Sequence, residues 1–477
     1  MELSVRWRRM LFHTFEYAIL LCIVFLSYLL LPKWTRWIVL VSASYIFYAT
    51  SQFGLVWLLL VSGAVDYLCG LFLFQAKGKA VRVGLLTTSV IINIFLLGYF
   101  KYRILLQDGF DYLTSGGFAT TADQFILPIG ISFFTLQSMG YTIDVYRGKQ
   151  VPERHPGYFF LYVAYFPQLI AGPIERARDL LPQLHSQRPF DWTRFRSGCL
   201  LILFGLMKKL VIVAGLTPFF ADVYQDDPSG KPISLLIAVS LSIFYIYADF
   251  SGYTDLARGS SRIIGIELSK NFRSPMTATS IRDFWQRWHI TLTKWIFDYL
   301  HTPLASLITS RTGRYVLIVF TFLIVGLWHG ANITFILFGF LHGLTIVIET
   351  LCARNGWTLP SGQLWQAARI VRTFSLSAIF GALFLSPSVP HALAVYGELF
   401  QVSFHDIFAT EVKHKAELFT AFLGTLVWMG HRLKPTLLDE LPKSTFWRWA
   451  LYIGLLLFVI LFSTSNGEDN AFIYFQF

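Results

Sequence analysis

The chain has 477 residues, of which 55% are hydrophobic and 14% charged, against roughly 25% charged residues in soluble domains. That balance excludes a soluble globular enzyme, while 46 Phe, 22 Tyr and 14 Trp exclude disorder and four cysteines exclude a disulfide-stapled scaffold. The net charge of +11 is spread over short loops between apolar runs, so it reads as the positive-inside bias of a polytopic membrane protein and not as a nucleic-acid surface.

A spanning helix needs about 20 mostly apolar residues. Candidates fall at 15–31, 34–50, 53–74, 83–100, 126–146, 197–220, 233–250, 314–330, 333–351, 368–386, 417–430 and 446–463. The fold class is therefore an all-α polytopic membrane protein with about 11–13 transmembrane or re-entrant helices, since an unclosed sheet cannot cross lipid. The first span follows Arg6, Arg8 and Arg9 but has no small-residue cleavage site, and is expected to stay in the protein. If 157–171 is re-entrant, Lys33/Arg36, Lys77/Lys79/Arg82, Arg147/Lys149/Arg154 and the basic stretch 176–196 share the cytoplasmic side. The acidic loops with Asp108/Asp111/Asp123 and Asp222/Asp226/Asp227 then lie outside with the N-terminus, although Arg6, Arg8 and Arg9 argue the other way.

Segment 157–171, GYFFLYVAYFPQLIA, contains Pro167 and precedes Gly172-Pro173. Proline breaks the helix ladder, and broken backbone at membrane depth survives only under protein or in a water-filled cavity. A re-entrant element or a kinked helix fits. No internal repeat of the transporter kind is visible. The chain divides, within one integral membrane domain at 1–477, into N-terminal helices 1–125, a core at 126–351 and weakly apolar peripheral helices at 352–477.

Residues 249–301 concentrate ionisable groups beside spans, where they are costly and point to function. Asp249, Ser251, Tyr253 and Asp255 are expected at the inner end of a span, with Gly252 allowing a turn; they either shape a cytoplasmic mouth or cap a helix end. On a helix from Ser280 to His301, Phe284, Trp288, Thr291, Trp295 and Tyr299 recur on one face, with Arg282, Asp283, Gln286, Arg287 and Lys294 between them. Such a helix suits a membrane interface, either as an anchor alone or as part of a site through His289, whose burial between Trp-bearing turns favours neutral imidazole. Arg282, Arg287 and Lys294 either attract an anionic donor or face headgroups. Gln168, Asp144 and Tyr141 are weaker candidates for lining the same cavity.

The next span ends in VGLWHG. Starting near Arg314, about 15 residues at ~1.5 Å each bring His329 roughly 22 Å into a core about 30 Å thick. Flanking glycines leave space for a ligand or another backbone to approach, and Trp328 can wall the pocket. His342 stands about 20 Å further along a continuous helix and is expected to be packing or supporting structure. No HxxxH, HxH or HExxH spacing, P-loop, GxGxxG or GxSxG occurs, so metal, nucleotide and self-contained serine-esterase chemistry lose support.

At these residues the sequence resembles the membrane-bound O-acyltransferase (MBOAT) family, and within it the alginate O-acetylase branch. The shared pieces are LPIGISFFTLQSMGYTIDVYRG at 127–148, FPQLIAGPI at 166–174, DFSGYTD at 249–255, and NF with SIRDFWQRWHITLTKW at 271–295. GLWHGA at 326–331, FGFLHG at 338–343 and the terminal FIYFQF follow in order. The resemblance implies that His329 is the catalytic histidine and His289 the second one. It also implies a bowl-like core with interfacial helices, in which a tunnel joins a cytoplasmic donor side to an extracytoplasmic funnel. Trp328, Asp249, Ser251, Tyr253, Asp255, Asn271, Trp285, Arg287, Trp288 and Gln168 are the expected substrate-binding set, with no metal and no resident cofactor. Three stretches depart from the family pattern: Asn332-Ile333 after WHGA, DYLHTPLAS at 298–306, and GLMKKLVIVAG, which lacks an aspartate after its basic pair.

The implied activity is acetyl transfer from a cytoplasmic donor, acetyl-CoA, for O-acetylation of an extracytoplasmic polysaccharide, alginate or another glycan, at a bacterial inner membrane. His329 would act as general base or transient acyl acceptor. Partners implied are membrane lipids and a separate SGNH-hydrolase-like protein, since the chain has no long hydrophilic stretch to hold such a domain. Acyl transfer from a carrier protein, as in teichoic-acid D-alanylation, and a transporter without acyl chemistry are the alternatives.

Overall fold

The computed structural model describes residues 10–103, 127–186, 188–224, 228–357, 360–403, 414–432 and 444–463. Arg6, Arg8, Arg9, Asp108, Asp111, Asp123, Asp226, Asp227 and the terminal FIYFQF lie outside them. In chain order the helices are α1 Phe15–Leu30, α2 Arg36–Gln52, α3 Val56–Gln75, α4 Lys79–Lys101, α5 Ile131–Tyr146, α6 Pro156–Ala164 and α7 Ala177–Ser186. They continue with α8 Trp192–Tyr224, which contains a π-helical turn at Lys208–Val213, and α9 Pro232–Ile264. Then come α10 Ile281–Arg287, α11 Ile290–Ile296, α12 Thr302–Ala305, α13 Arg311–His329, α14 Ile333–Arg354 and α15 Gln363–Leu385. α16 Val389–Leu399, α17 Lys415–Arg432 and α18 Thr445–Phe462 complete the list. The expected spans fall on helix, except that 126–146 is helical only from Ile131, and among the described residues eight helical runs are long and apolar enough to cross a bilayer. The protein is an all-helical polytopic membrane protein.

The described residues form two compact units, one within 1–203 and 253–269, the other within 204–252 and 270–463. In the first, α3, α4 and α5 are tied through buried Asp66, which accepts from Ser89 Oγ, from Asn93 Nδ2 at 2.7 Å and from Thr142 Oγ1 at 2.7 Å. Three helices thus converge on one carboxylate whose lone pairs are met by protein. The 157–171 segment is a nine-residue helix, α6, that gives way to buried non-helical backbone from Tyr165 onward. Its polar groups find protein partners: Gln137 Nε2 and Gln168 Nε2 both donate to the Tyr162 carbonyl, and Phe166 N donates to Ser44 Oγ at 3.0 Å. That is how broken backbone is sustained away from water.

In the second unit α13 and α14 form an antiparallel hairpin closed by residues 330–332, with Asn332 Oδ1 capping α14 at Thr334 N, 3.0 Å. Here glycine is required: a Cβ on Gly326 would lie 2.2 Å from the Phe335 carbonyl oxygen, and one on Gly339 2.1 Å from that of Phe322. The two backbones touch, as small residues permit between membrane helices. α9 and α15 pack nearby, with Ser242 Oγ donating to the Ala378 carbonyl at 2.7 Å.

α9 corrects one expectation. It does not end near residue 250 with a turn at Gly252 but continues to Ile264. At 33 residues it is about 50 Å long, more than the ~30 Å hydrocarbon core requires. Gly252 serves packing instead: a Cβ there would stand 3.0 Å from Lys208 Cβ and 3.3 Å from the Gly205 carbonyl oxygen.

Candidate functional site

The site is built in the second unit from α9, the 271–296 segment, the α13–α14 hairpin and α15. The continuous helix expected from Ser280 to His301 is absent. α10 stops at Arg287, Trp288 is extended, His289 takes left-handed angles (φ 42°, ψ 51°), and the chain restarts as α11, followed by a π turn at Phe297–His301. The cause is tertiary. Ile290 N donates to the Asn271 carbonyl at 2.9 Å, and Thr291 N and Oγ1 donate to Asn271 Oδ1 at 3.2 and 2.7 Å, so the first donors of α11 are met from outside its own helix. Arg273 N in turn donates to the Arg287 carbonyl at 2.9 Å. Those bonds offset the roughly 1–3 kcal/mol that a non-glycine residue pays in that conformation.

The break aims the His289 ring into the unit. It is fully buried, edge-on to Phe250 on α9 at a centroid distance of 4.7 Å and to Trp328 at 5.4 Å. Burial pushes its pKa down to about 3, which keeps the imidazole neutral at cellular pH with one nitrogen able to accept a proton. His329 ends α13. Its ring lies 5.1 Å from Trp328, 5.2 Å from Phe384 and 5.9 Å from Phe338, and it is 1% exposed. The Trp328 indole thus borders both imidazoles within one aromatic enclosure. His342 is closer than expected, because the chain reverses at 330–332 instead of continuing as one helix. Phe338 touches its ring at 4.5 Å while also bordering His329, and Phe284, Trp285 and Phe380 enclose the rest. It packs behind the site, on the far side of Phe338.

Other expected residues have identifiable partners. Asp249 is buried on α9 in an ion pair with Lys209 of the π turn, and Phe250, the next residue, contacts His289. Ser251 is buried beside them in sequence. Trp288 stacks on Phe284 at 5.2 Å and meets Phe272 edge-on at 5.2 Å, while Trp285 packs on Phe322 at 5.2 Å. Arg287 Nε donates to Asp283 Oδ1 at 2.7 Å, so its charge is compensated within α10. Asn271 shapes the break at His289 through its carbonyls.

Gln168, Tyr253 and Asp255 belong to the first unit. Gln168 supports the broken backbone after α6, Tyr253 packs on Phe12 at 4.5 Å, and Asp255 lies 3.9 Å from Arg258. Tyr141 OH accepts from Glu153 N at 3.0 Å, and Asp144 is buried on α5. Sequence reasoning missed Lys209, Phe250, Phe338 and Phe384. Lys208-Lys209 inside an apolar run was the available signal for the first; the aromatic residues carry none that separates them from ordinary core.

The fold and this enclosure define a polytopic helical membrane protein with two buried histidines around a shared tryptophan. The chain matches the model of the MBOAT, membrane-bound O-acyltransferase family over residues 42–386, and it belongs to that family. It is an acyltransferase. It is 33% identical over 407 residues to the "Probable alginate O-acetylase" of Azotobacter vinelandii, covering 84% of this chain and 79% of that protein. It is 32% identical over 409 residues to the "Peptidoglycan O-acetyltransferase" of Helicobacter pylori, covering 78% and 76%. A more distant similarity, 28% over 270 residues, joins it to the "Teichoic acid D-alanyltransferase" of Bacillus subtilis and covers 52% of this chain.

Proposed function

We propose that this protein transfers acetyl from a cytoplasmic thioester donor, acetyl-CoA, toward an acceptor hydroxyl on the far side of a bacterial inner membrane, in the O-acetylation of an extracytoplasmic glycan. The observation that carries the reading is the common enclosure of His289 and His329 around Trp328. The acceptor hydroxyl gives its proton to His329 as its oxygen attacks the acyl carbon; the carbon–sulfur bond then breaks and the thiolate takes up the proton from His329, which returns to its neutral form. His289, neutral and held by the break in the chain, orients the donor or assists that second proton transfer. Trp328, Trp285 and Trp288 exclude water, which otherwise competes as acceptor. Similarity to the acetylases extends over about four-fifths of the chain against about half for the D-alanyltransferase, which favours acetyl over a carrier-borne aminoacyl group. An SGNH-hydrolase-like protein outside the membrane would complete transfer to the polymer.

The test is transfer from radiolabelled acetyl-CoA in proteoliposomes, with His329→Ala and His289→Ala beside the parent protein and folding checked by size exclusion. A folded His329→Ala protein is expected to lose about 10²–10⁴-fold in rate. Undiminished transfer in that variant overturns its role as base.

A further inference from the structure

A concavity lies in the same unit, outside the histidine enclosure. It has a volume of about 530 Å³ and is lined by residues of the 273–301 segment and of the α13–α14 hairpin. Its composition is two-sided. Arg273, Arg282 and Lys294 are exposed cations at the rim, whereas Ile318, Phe322 and Ile346 form an apolar wall contributed by two membrane-crossing helices. Among the described residues no carboxylate lines it, and none of the three cations has an ion-pair partner. Arg282 is held by a 2.8 Å hydrogen bond to Thr350 Oγ1, which leaves its guanidinium other donors to offer. Arg287, one turn from these, is by contrast already paired with Asp283.

Three uncompensated cations around an opening call for a phosphate-type anion, and an apolar wall on spanning helices calls for a hydrocarbon chain attached to it. A free phosphate or a water-soluble phosphate ester would satisfy the rim and leave the wall wet. A phospholipid satisfies both halves. We propose that this cavity binds the headgroup phosphate of an anionic phospholipid, with one acyl chain laid along Ile318, Phe322 and Ile346. The Trp285 ring separates the cavity from His342, at 5.3 Å, and so forms a wall common to the lipid site and the aromatic packing behind His329.

The test uses the full-length protein in detergent micelles with a photoactivatable phosphatidylglycerol, and peptide mapping of the cross-link. Labelling is expected to concentrate on residues 273–301 and on the two hairpin helices, to be displaced by unlabelled phosphatidylglycerol, and to resist phosphatidylcholine and coenzyme A. Each cation removed is expected to cost about fivefold in affinity, so Arg282→Ala with Lys294→Ala should weaken labelling about 25-fold. Labelling spread evenly over all spans, or displaced equally by phosphatidylcholine, overturns the proposal. Displacement by coenzyme A or inorganic phosphate also overturns it, by giving the cations to a soluble phosphate ester. If the double variant does not fold, mapping and competition on the parent protein decide alone. Both readouts are independent of acetyl transfer.

Discussion

Gly326→Ala tests whether the α13–α14 hairpin positions His329. An added methyl group would lie 2.2 Å from the Phe335 carbonyl oxygen, 3.0 Å from its carbon and 3.3 Å from Gly339 Cα, so nothing flexible can yield. Ordinary contact begins near 3.4 Å, and the two helices must part by about 1.2 Å for the methyl to fit. His329 stands three residues on, at the end of the same helix. A misplacement of about 1 Å costs on the order of 100-fold in rate, while overpacking of this size costs about 1–3 kcal/mol in stability. The variant is therefore expected to remain folded, with a lower melting temperature, and to lose about 100-fold in kcat for acetyl transfer. Gly84→Ala, on α4 in open space, is the matched control and should leave kcat unchanged without lowering the melting temperature. A folded Gly326→Ala protein with kcat within threefold of the parent would refute the positioning argument.

Lys209→Met should destabilise the protein by about 3–5 kcal/mol, because it removes one partner of a buried ion pair; pairing it with Asp249→Leu should restore most of the loss. Thermal unfolding of the single and double variants in detergent checks this, and a single variant that melts with the parent contradicts it. The His289 pKa is depressed from 6.5 to about 3 by burial, so stability is full above pH 6.5 and is lost as pH falls toward 3, by about 2 kcal/mol at pH 5. His289→Gln should flatten that slope in unfolding measured at pH 7 and pH 5. Glu175 carries the opposite sign: burial raises its carboxyl to about 7 although Ser269 N and Oγ donate to it, so stability is full below pH 4.5 and falls by about 3 kcal/mol by pH 8. Glu175→Gln should be more stable than the parent at pH 8 and close to it at pH 4.5.

The spans were legible because lipid demands long apolar runs and the loops interrupt them with charge. His329 and Trp328 were legible for a related reason: a histidine between glycines at the end of an apolar helix stands out against its surroundings. The break at His289 was not. Phe284, Trp288, Thr291 and Trp295 keep helical spacing straight through it, and all four are buried, so periodicity offered no hint of two helices. What decided the matter was Asn271, some 20 residues earlier, whose carbonyls compete for the donors of α11. The reach of α9 past Gly252 was missed for the opposite reason. Polar residues signalled an ending, but Lys209 compensates the aspartate and the glycine admits a neighbouring backbone. His342 was misplaced because a reversal at 330–332 turns sequence distance into proximity.

The backbone contact in the hairpin has a bearing on how the two histidines are held. Helices packed carbonyl to glycine cannot shift independently, so the end of α13 that carries His329 is tied to α14. His289 sits between two seven-residue helices, where the bonds that Ile290 and Thr291 donate to Asn271, and not a continuous helix ladder, hold the backbone. One imidazole is thus placed by backbone contact inside a hairpin and the other by bonds to a segment some 20 residues away. The two sides of the enclosure are therefore set by different kinds of contact, one local to its hairpin and one reached across the chain.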